Sequence, residues 1–433
     1  MTHTTVLIIM DAGRSDYVRP DSMPFLNGLA SGATRGALEA PAGFAQRTVL
    51  FTGRYPDASN NFSAFAFDPA NSPFRWVRRL GPLGRLVQPR RVLYPARVGI
   101  AKVTRWVTKG LPADPAWIPT RFLPFFRPSE DVRRADQAGA LGSPSIFDLC
   151  RTHGRRFRYL AASEPGDDRS VFEGLVRHLR ATDPYDLYVA RVSATQQMGH
   201  THGPFSKAMQ ESYLRALDQK LASIHAALVG GYDSWDLFVV GDHGMAPVQR
   251  RVNVLGSLSR LGLKAGKNYV VLVNSTLTVL WYLTDKGRQA IEALLPRIEG
   301  AHMVEPEERK RLRIPEDRRW GDRILAAEPG VLFWPDFFHV TDSKLEGMHG
   351  YLDKTLETHG AAILASSDGD AAPRAIGVRP MVDVFPTLCD LLGLPVPKGL
   401  EGTSIVRIAR AHARPAKAKP RGPAQTRAVV LDA

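Results

Sequence analysis

The chain has 433 residues, 44% of them apolar, and a formal charge of +14. That composition supports a large buried core and excludes a disordered or fibrous protein. Two cysteines, Cys150 and Cys389, exclude a disulfide framework, and every apolar run falls short of the roughly 20 residues that span a bilayer.

The first ten residues already read as a strand, Val6-Leu7-Ile8-Ile9-Met10, which delivers Asp11 at its end. No basic segment or cleavage site precedes it, so no signal peptide is expected, and with so few cysteines the chain reads as cytoplasmic. Gly43, Phe44, Gln46 and Arg47 then lead into a helix that closes on Thr52-Gly53-Arg54-Tyr55-Pro56.

From about 68 to 136 comes an insertion. Between Phe74 and Arg127 it carries twelve Lys or Arg against one acid, Asp114. Within it Ile100, Val103, Trp106 and Val107 recur at helical spacing, with Lys102, Arg105 and Lys109 opposite. A basic amphipathic helix bearing Trp is a candidate for an anionic membrane surface. A lid packed on the protein's own core is the commoner use of such a helix and is the favoured reading. With Trp76, Trp117 and the Phe122 to Phe126 cluster, the segment is expected to shape access for a bulky anionic substrate, with a lipid-linked one in view.

Ser143-Pro144 opens a helix with Ile146, Phe147 and Leu149 inward. A buried strand, Tyr185 to Val192, delivers a loop with Gln196, Gly199-His200 and His202. A long helix after Ser206 presents Met209, Tyr213, Leu217, Leu221, Ile224 and Leu228 on one face. The strand Asp236 to Val240 ends at Gly241-Asp242-His243-Gly244. From 253 to 340 the strand–helix rhythm breaks into paired strands, 269–273 and 278–282, and a helix over 287–295. Met348-His349-Gly350 and His359 follow, and Ala361 to Ala365 returns to the sheet. The tail, 406–433, adds seven basic residues between Arg407 and Arg427 and no acid. It reads as disordered and solubilising, and nucleic acid is not an expected partner. His339, among other histidines, lies outside any pattern and reads as ordinary. Both cysteines sit in predicted helices as small buried apolar residues.

Asp11, His200, Asp242, His243 and His349 thus all stand where a strand finishes, the place at which open α/β sheets collect their chemistry. Any one of them would be read as a helix cap. As an ordered set, their oxygen and imidazole donors suit a zinc-like divalent ion.

The order and wording of the set resemble the alkaline phosphatase superfamily in its nucleotide pyrophosphatase/phosphodiesterase branch. The matching segments are Val6 to Gly13, Thr52 to Pro56, Gly199 to Pro204, Gly241 to Met245, His349 to Tyr351 and Arg379 to Leu394. Thr52 to Pro56 and the last of these are also close to the sulfatases. The resemblance implies a three-layer α/β/α sandwich with a mostly parallel central sheet, over 1–405, with a small cap subdomain inserted at about 253–340. It implies two ligand sets for one or two zinc ions: Asp11, Asp242 and His243, and Gln196, His200 and His349. It aligns Gln46 with a residue that holds a phosphoryl oxygen and Arg47 with the sulfatase arginine, a catalytic and substrate-binding candidate near a helix start. His202 and His359 are further substrate-binding candidates.

Two positions depart from the family. Ten places before Gly53, the family's Thr, Ser or Cys nucleophile falls on Gly43, and four before His200 the second metal aspartate falls on Gln196. The second ion should therefore bind more weakly. The space left at Gly43 should admit a metal-bound water, giving direct attack on a phosphate ester of phosphodiester or nucleotide type, and Gly43→Thr should restore a covalent route. Thr48, five residues on, reads as structural. The alternatives are a pseudoenzyme that keeps the fold as a phosphate- or partner-binding module, and a phosphoryl-group transferase or sulfatase-like hydrolase.

Overall fold

Seven strands form the central sheet of the computed structural model, which describes residues 2–79, 94–108, 115–129, 134–162, 167–339, 344–367 and 374–413. In chain order these are β1 (His3–Met10), β2 (Thr34–Glu39), β3 (Phe157–Ala161), β4 (Leu187–Val192), β5 (Ser234–Gly241), β6 (His359–Ser366) and β7 (Arg374–Pro380). Across the sheet they run β7-β2-β6-β5-β1-β4-β3. β6 is antiparallel to both neighbours, and the other pairings are parallel. The sheet is thus mostly parallel, as the sequence implied. Strands β1, β4 and β5 are buried on both sides because helices cover both faces, which is why they read as continuous apolar runs.

One face packs on helices Gln46–Thr52, Ile146–Thr152 and Val384–Leu391. The other packs on Pro24–Ser31, Asp168–Leu179 and Leu214–Gly231. The first turn of Pro24–Ser31 is held from outside: buried Asp218 accepts from the backbone N–H groups of Phe25 and Leu26, at 2.7 and 2.8 Å. Helix Ile146–Thr152 is capped by Ser145 rather than by Ser143, in a reciprocal capping box with Asp148. The long helix expected after Ser206 opens with a π-helical stretch, Ala208–Tyr213, before Leu214.

A second sheet, antiparallel throughout, joins Tyr269–Asn274, Leu277–Tyr282, Arg323–Ala327 and Ala301–Met303 in that order. Described residues of the 68–136 insertion, among them Phe74, Ile100, Ile118 and Phe122, share its core. Phe67 lies between Phe125 and Trp281, at ring-centroid distances of 6.0 and 5.3 Å, and Phe122 and Phe126 are buried. The Phe122 to Phe126 cluster is therefore largely core of this layer, not an entrance. Helix Tyr94–Val107 turns Ile100 and Thr104 inward and leaves Val103, Trp106 and Val107 exposed, against the favoured lid packing. Lys109 falls outside the described residues.

Residues 406–413, expected in the disordered tail, complete helix Ile405–Ala413, whose Ile405 and Ala409 are buried. Arg407 Nε donates to Asp390 at 2.7 Å. The remainder of that tail lies outside the described residues. Among the described residues no helix is long and apolar enough to cross a membrane.

Candidate metal centre

β1 and β5 are adjacent and parallel, so their ends meet at one rim of the sheet. Asp11 follows the first and Asp242-His243 the second, and all three are buried. The chain turns sharply after Asp11: Ala12 adopts a left-handed backbone (φ 59°) and its N–H donates to Asp242 Oδ1 at 3.1 Å. His243 Nδ1 faces its neighbour's carbonyl, Gly244 O, at 2.7 Å, which places the proton on Nδ1 and turns Nε2 toward the carboxylates. Nε2 lies 3.2 Å from Asp11 Oδ1 and 3.8 Å from Asp242 Oδ1. Donor atoms of the three residues all fall within 4.8 Å of one another.

Burial and the Asp11 carboxylate beside it push Asp242 up to about 6. Burial works against a charge on His243 too, but Asp242 and Asp11 outweigh it and raise the imidazole to about 9. Burial also acts to raise Asp11, yet Arg191 and His243 hold it below the ordinary carboxylate range. Two buried carboxylates that crowd one another, with an oriented imidazole, fit a divalent cation.

The second set differs. His200 Nδ1 faces Gly347 O at 2.9 Å, leaving Nε2 toward the centre. Burial drives His200 down to about 4 and His349 well below its ordinary value, so both are neutral. The Gln196 amide lies between the two sets; turned so that both its ends are satisfied, its nitrogen donates to both Asp11 oxygens, at 2.8 and 2.9 Å, and its oxygen accepts from His349 Nε2 at 2.9 Å. The rings of His243 and His349 stack with centroids 4.0 Å apart. All six residues named from the sequence therefore converge, but the second three are neutral donors.

The space at Gly43 is not open. Gly43 sits at φ +82°, and a Cβ there would lie 2.2 Å from the Phe62 carbonyl oxygen and 2.6 Å from its ring. A threonine side chain leaving Gly43 would therefore run into Phe62. Phe44 instead turns its ring edge to His349, at 5.9 Å, and Gly350 makes way for it, since a Cβ there would meet the Phe44 ring at 2.6 Å. Gln46 Nε2 donates back to Gly43 O at 2.9 Å and also lines a small cleft with His243, His349 and Lys354. Arg47 lies at the start of helix Gln46–Thr52, near Tyr159. Thr48 is buried and accepts from Asn61 Nδ2 at 3.1 Å, a structural residue as read.

His202 is exposed at the end of helix Ala194–His202. His359 starts β6 under the influence of Glu39 and Lys354, and its Nε2 is buried without a hydrogen-bond partner. Three residues of the site were not singled out from the sequence. Arg191 forms an ion pair with Asp11. His339, oriented by Asp336 at 2.8 Å, packs its ring 5.7 Å from His200. Lys354 Nζ donates to Ala40 O at 2.6 Å beside the cleft. Only Arg191 left a readable signal, a charge interrupting an apolar strand.

A mostly parallel sheet whose strand ends gather aspartates and histidines defines a protein of the alkaline phosphatase-like class. The profile of the type I phosphodiesterase / nucleotide pyrophosphatase family matches residues 5–352, and the chain belongs to that family. Its fold is similar to human ectonucleotide pyrophosphatase / phosphodiesterase 5 (TM-score 0.64, 17% identity, covering 94% of this chain and 99% of that one). The murine enzyme is similar (TM-score 0.61, 17% identity, covering 91% of this chain and 96% of that one), as is its inactive variant in complex with AMP, with the same values. No curated protein matches the sequence.

Proposed function

We propose that this protein is a metal-dependent hydrolase of phosphate esters, acting on a phosphodiester or nucleotide-type substrate by a single displacement with water as nucleophile. One observation carries the reading: two buried carboxylates and an oriented histidine converge in a chain of the phosphodiesterase family. Asp11, Asp242 and His243 would hold a divalent ion of zinc type. When bound, such an ion supplies Lewis-acid stabilisation of a phosphoryl oxygen and acidifies water. The protein's own groups do the rest. Gly43 offers no side-chain nucleophile, so the new P–O bond forms to water oxygen while the ester P–O bond breaks and the leaving alcohol takes a proton. Arg47, near the start of its helix, and Gln46, in the cleft wall, would bind the anion in this reading. The murine relative's complex with AMP supports a nucleotide-type ester.

The test is hydrolysis of bis(p-nitrophenyl) phosphate by protein reconstituted with zinc, run in oxygen-18 water. Label in the phosphate product with no phosphoprotein at any quench time is the expected result. A phosphorylated side chain, or no turnover with any divalent metal, overturns the reading.

A specific observation favours a peripheral role for the insertion. On helix Tyr94–Val107, Trp106 is 81% exposed, Val107 48% and Val103 40%, flanked by exposed Lys102 and Arg105. An outward apolar stripe with basic neighbours suits an anionic membrane surface that carries a lipid-linked substrate. Binding to phosphatidylserine vesicles, weaker in Trp106→Ser and absent with phosphatidylcholine, is expected. Equal binding by both proteins refutes it.

A further inference from the structure

Helix Asp168–Leu179 and its C-cap turn one face toward a groove of about 660 Å³. Arg169, Phe172, Glu173, Val176, Arg177 and Arg180 recur along that face at helical spacing. Lys220, on the neighbouring helix Leu214–Gly231, belongs to the opposite wall. Small-molecule sites run to about 300–1,000 Å³, so the room is ample. None of the lining residues belongs to the metal centre or to helix Tyr94–Val107.

The groove is apolar along its middle and one-sided in charge. Phe172, buried, and Val176, half-buried, form the floor one helical turn apart. Lys220 holds its ammonium over the Phe172 ring, 5.2 Å from the centroid. Glu173 is the single acid in the lining, and Arg169 pairs with it at 2.7 Å. Arg177, Arg180 and Lys220 have no ion-pair partner among the described residues. Burial, with Arg158 and Arg177 nearby, holds the imidazole of His178 below its ordinary range, which marks a positive field at this end of the helix. The helix dipole favours cations in a last turn and accounts for Arg177 and Arg180. It accounts neither for Lys220, on another helix, nor for the apolar floor between them.

We infer that this groove binds a single-chain lipid phosphate, with the phosphate monoester on Arg177, Arg180 and Lys220 and the alkyl chain along Val176 and Phe172. Charge selects the head group. A phosphate monoester carries about −1.5 to −2 at pH 7 and matches three cations better than a carboxylate does. Guanidinium forks grip its oxygens in pairs. The floor selects the tail, because a polar anion alone would leave Val176 in water while an alkyl chain removes that surface. This site is independent of the hydrolase reading.

The test is titration calorimetry with octyl phosphate below its micelle concentration, set beside decyl phosphate, inorganic phosphate and octyl glucoside. Wild type should bind octyl phosphate, and each added methylene should tighten binding by up to about fourfold. Inorganic phosphate, which lacks the chain, and octyl glucoside, which lacks the charge, should each bind about tenfold or more weakly. Arg177→Gln combined with Arg180→Gln should weaken octyl phosphate about tenfold or more, in the range of lost charge-assisted hydrogen bonds. The paired change Arg177→Lys and Arg180→Lys should keep part of the affinity, since charge survives without the fork. Asp242→Ala, altered only at the metal centre, should bind as wild type does. Unchanged affinity in the paired Gln variant overturns the inference, as does no binding by wild type. Equal binding of octyl glucoside or of inorganic phosphate overturns it too, because one half of the ligand would then suffice. Binding lost in Asp242→Ala places the ligand at the metal centre and has the same consequence.

Discussion

At Gly43 the backbone leaves no room for a side chain. The bend holds φ at +82°, Phe44 N donates to Phe62 O at 2.8 Å, and any Cβ would drive into that same carbonyl. Gly43→Ala should therefore cost about 2–3 kcal/mol, from overpacking and left-handed strain together, read as a lower denaturant midpoint. Gly43→Thr should destabilise as well and yield no phosphoprotein, contrary to what the family resemblance implied. Wild-type stability in either variant would mean that the bend relaxes freely. Asp242 is the sharper test of the metal triad. Removing a positioning partner of a metal ligand typically costs about 10–100-fold in affinity, so loss of the ligand in Asp242→Ala should cost more, measured by competition with a chromophoric chelator.

Helices in this protein are held by partners far away in sequence. Asp218→Ala strips two N–H groups of helix Pro24–Ser31 of their acceptor, and should cost about 2–3 kcal/mol. A loss below the error of the measurement would show that water replaces the carboxylate. The two cysteines test the opposite face. Cys150 and Cys389 lie in helices Ile146–Thr152 and Val384–Leu391, and burial pushes both thiols up to about 12. Neither should react with Ellman's reagent at pH 8 until the protein unfolds. The sign for stability follows. Above about pH 8.5 the unfolded chain releases thiol protons that the folded chain keeps, so these helices lose stability as pH rises. Rapid labelling of native protein would contradict the packing.

Across the whole molecule, a bound ion couples strand ends far apart in sequence. Asp11 and Asp242 follow neighbouring strands, so an ion between them ties β1 to β5 and is bound only by the folded chain. At a free concentration about 100 times its Kd it should add about 2.7 kcal/mol to stability. Chelator should lower the melting temperature in wild type and leave it unchanged in Asp242→Ala. An identical melting temperature with and without zinc would show that the native protein does not take it up.

Much of this was legible in the chain. Val6 to Met10, Tyr185 to Val192 and Asp236 to Val240 announce buried parallel strands because a strand covered on both faces must be apolar at every position, and such strands deliver Asp11, Gln196 and Asp242 to one rim. Ligand types and their order along the chain are local properties, and Asp11, His200, Asp242, His243 and His349 followed from them, while Gln196 came only from the family resemblance. What could not be read depends on residues distant in sequence. Phe62 occupies the space at Gly43, the partners of the Gln196 amide lie on two other loops, and Arg191 is placed against Asp11 by strand register rather than by any motif. The face that helix Tyr94–Val107 turns outward was equally hidden. Periodicity shows that an apolar stripe exists, but only the packing of Ile100 and Thr104 against the body decided that Trp106 points to solvent.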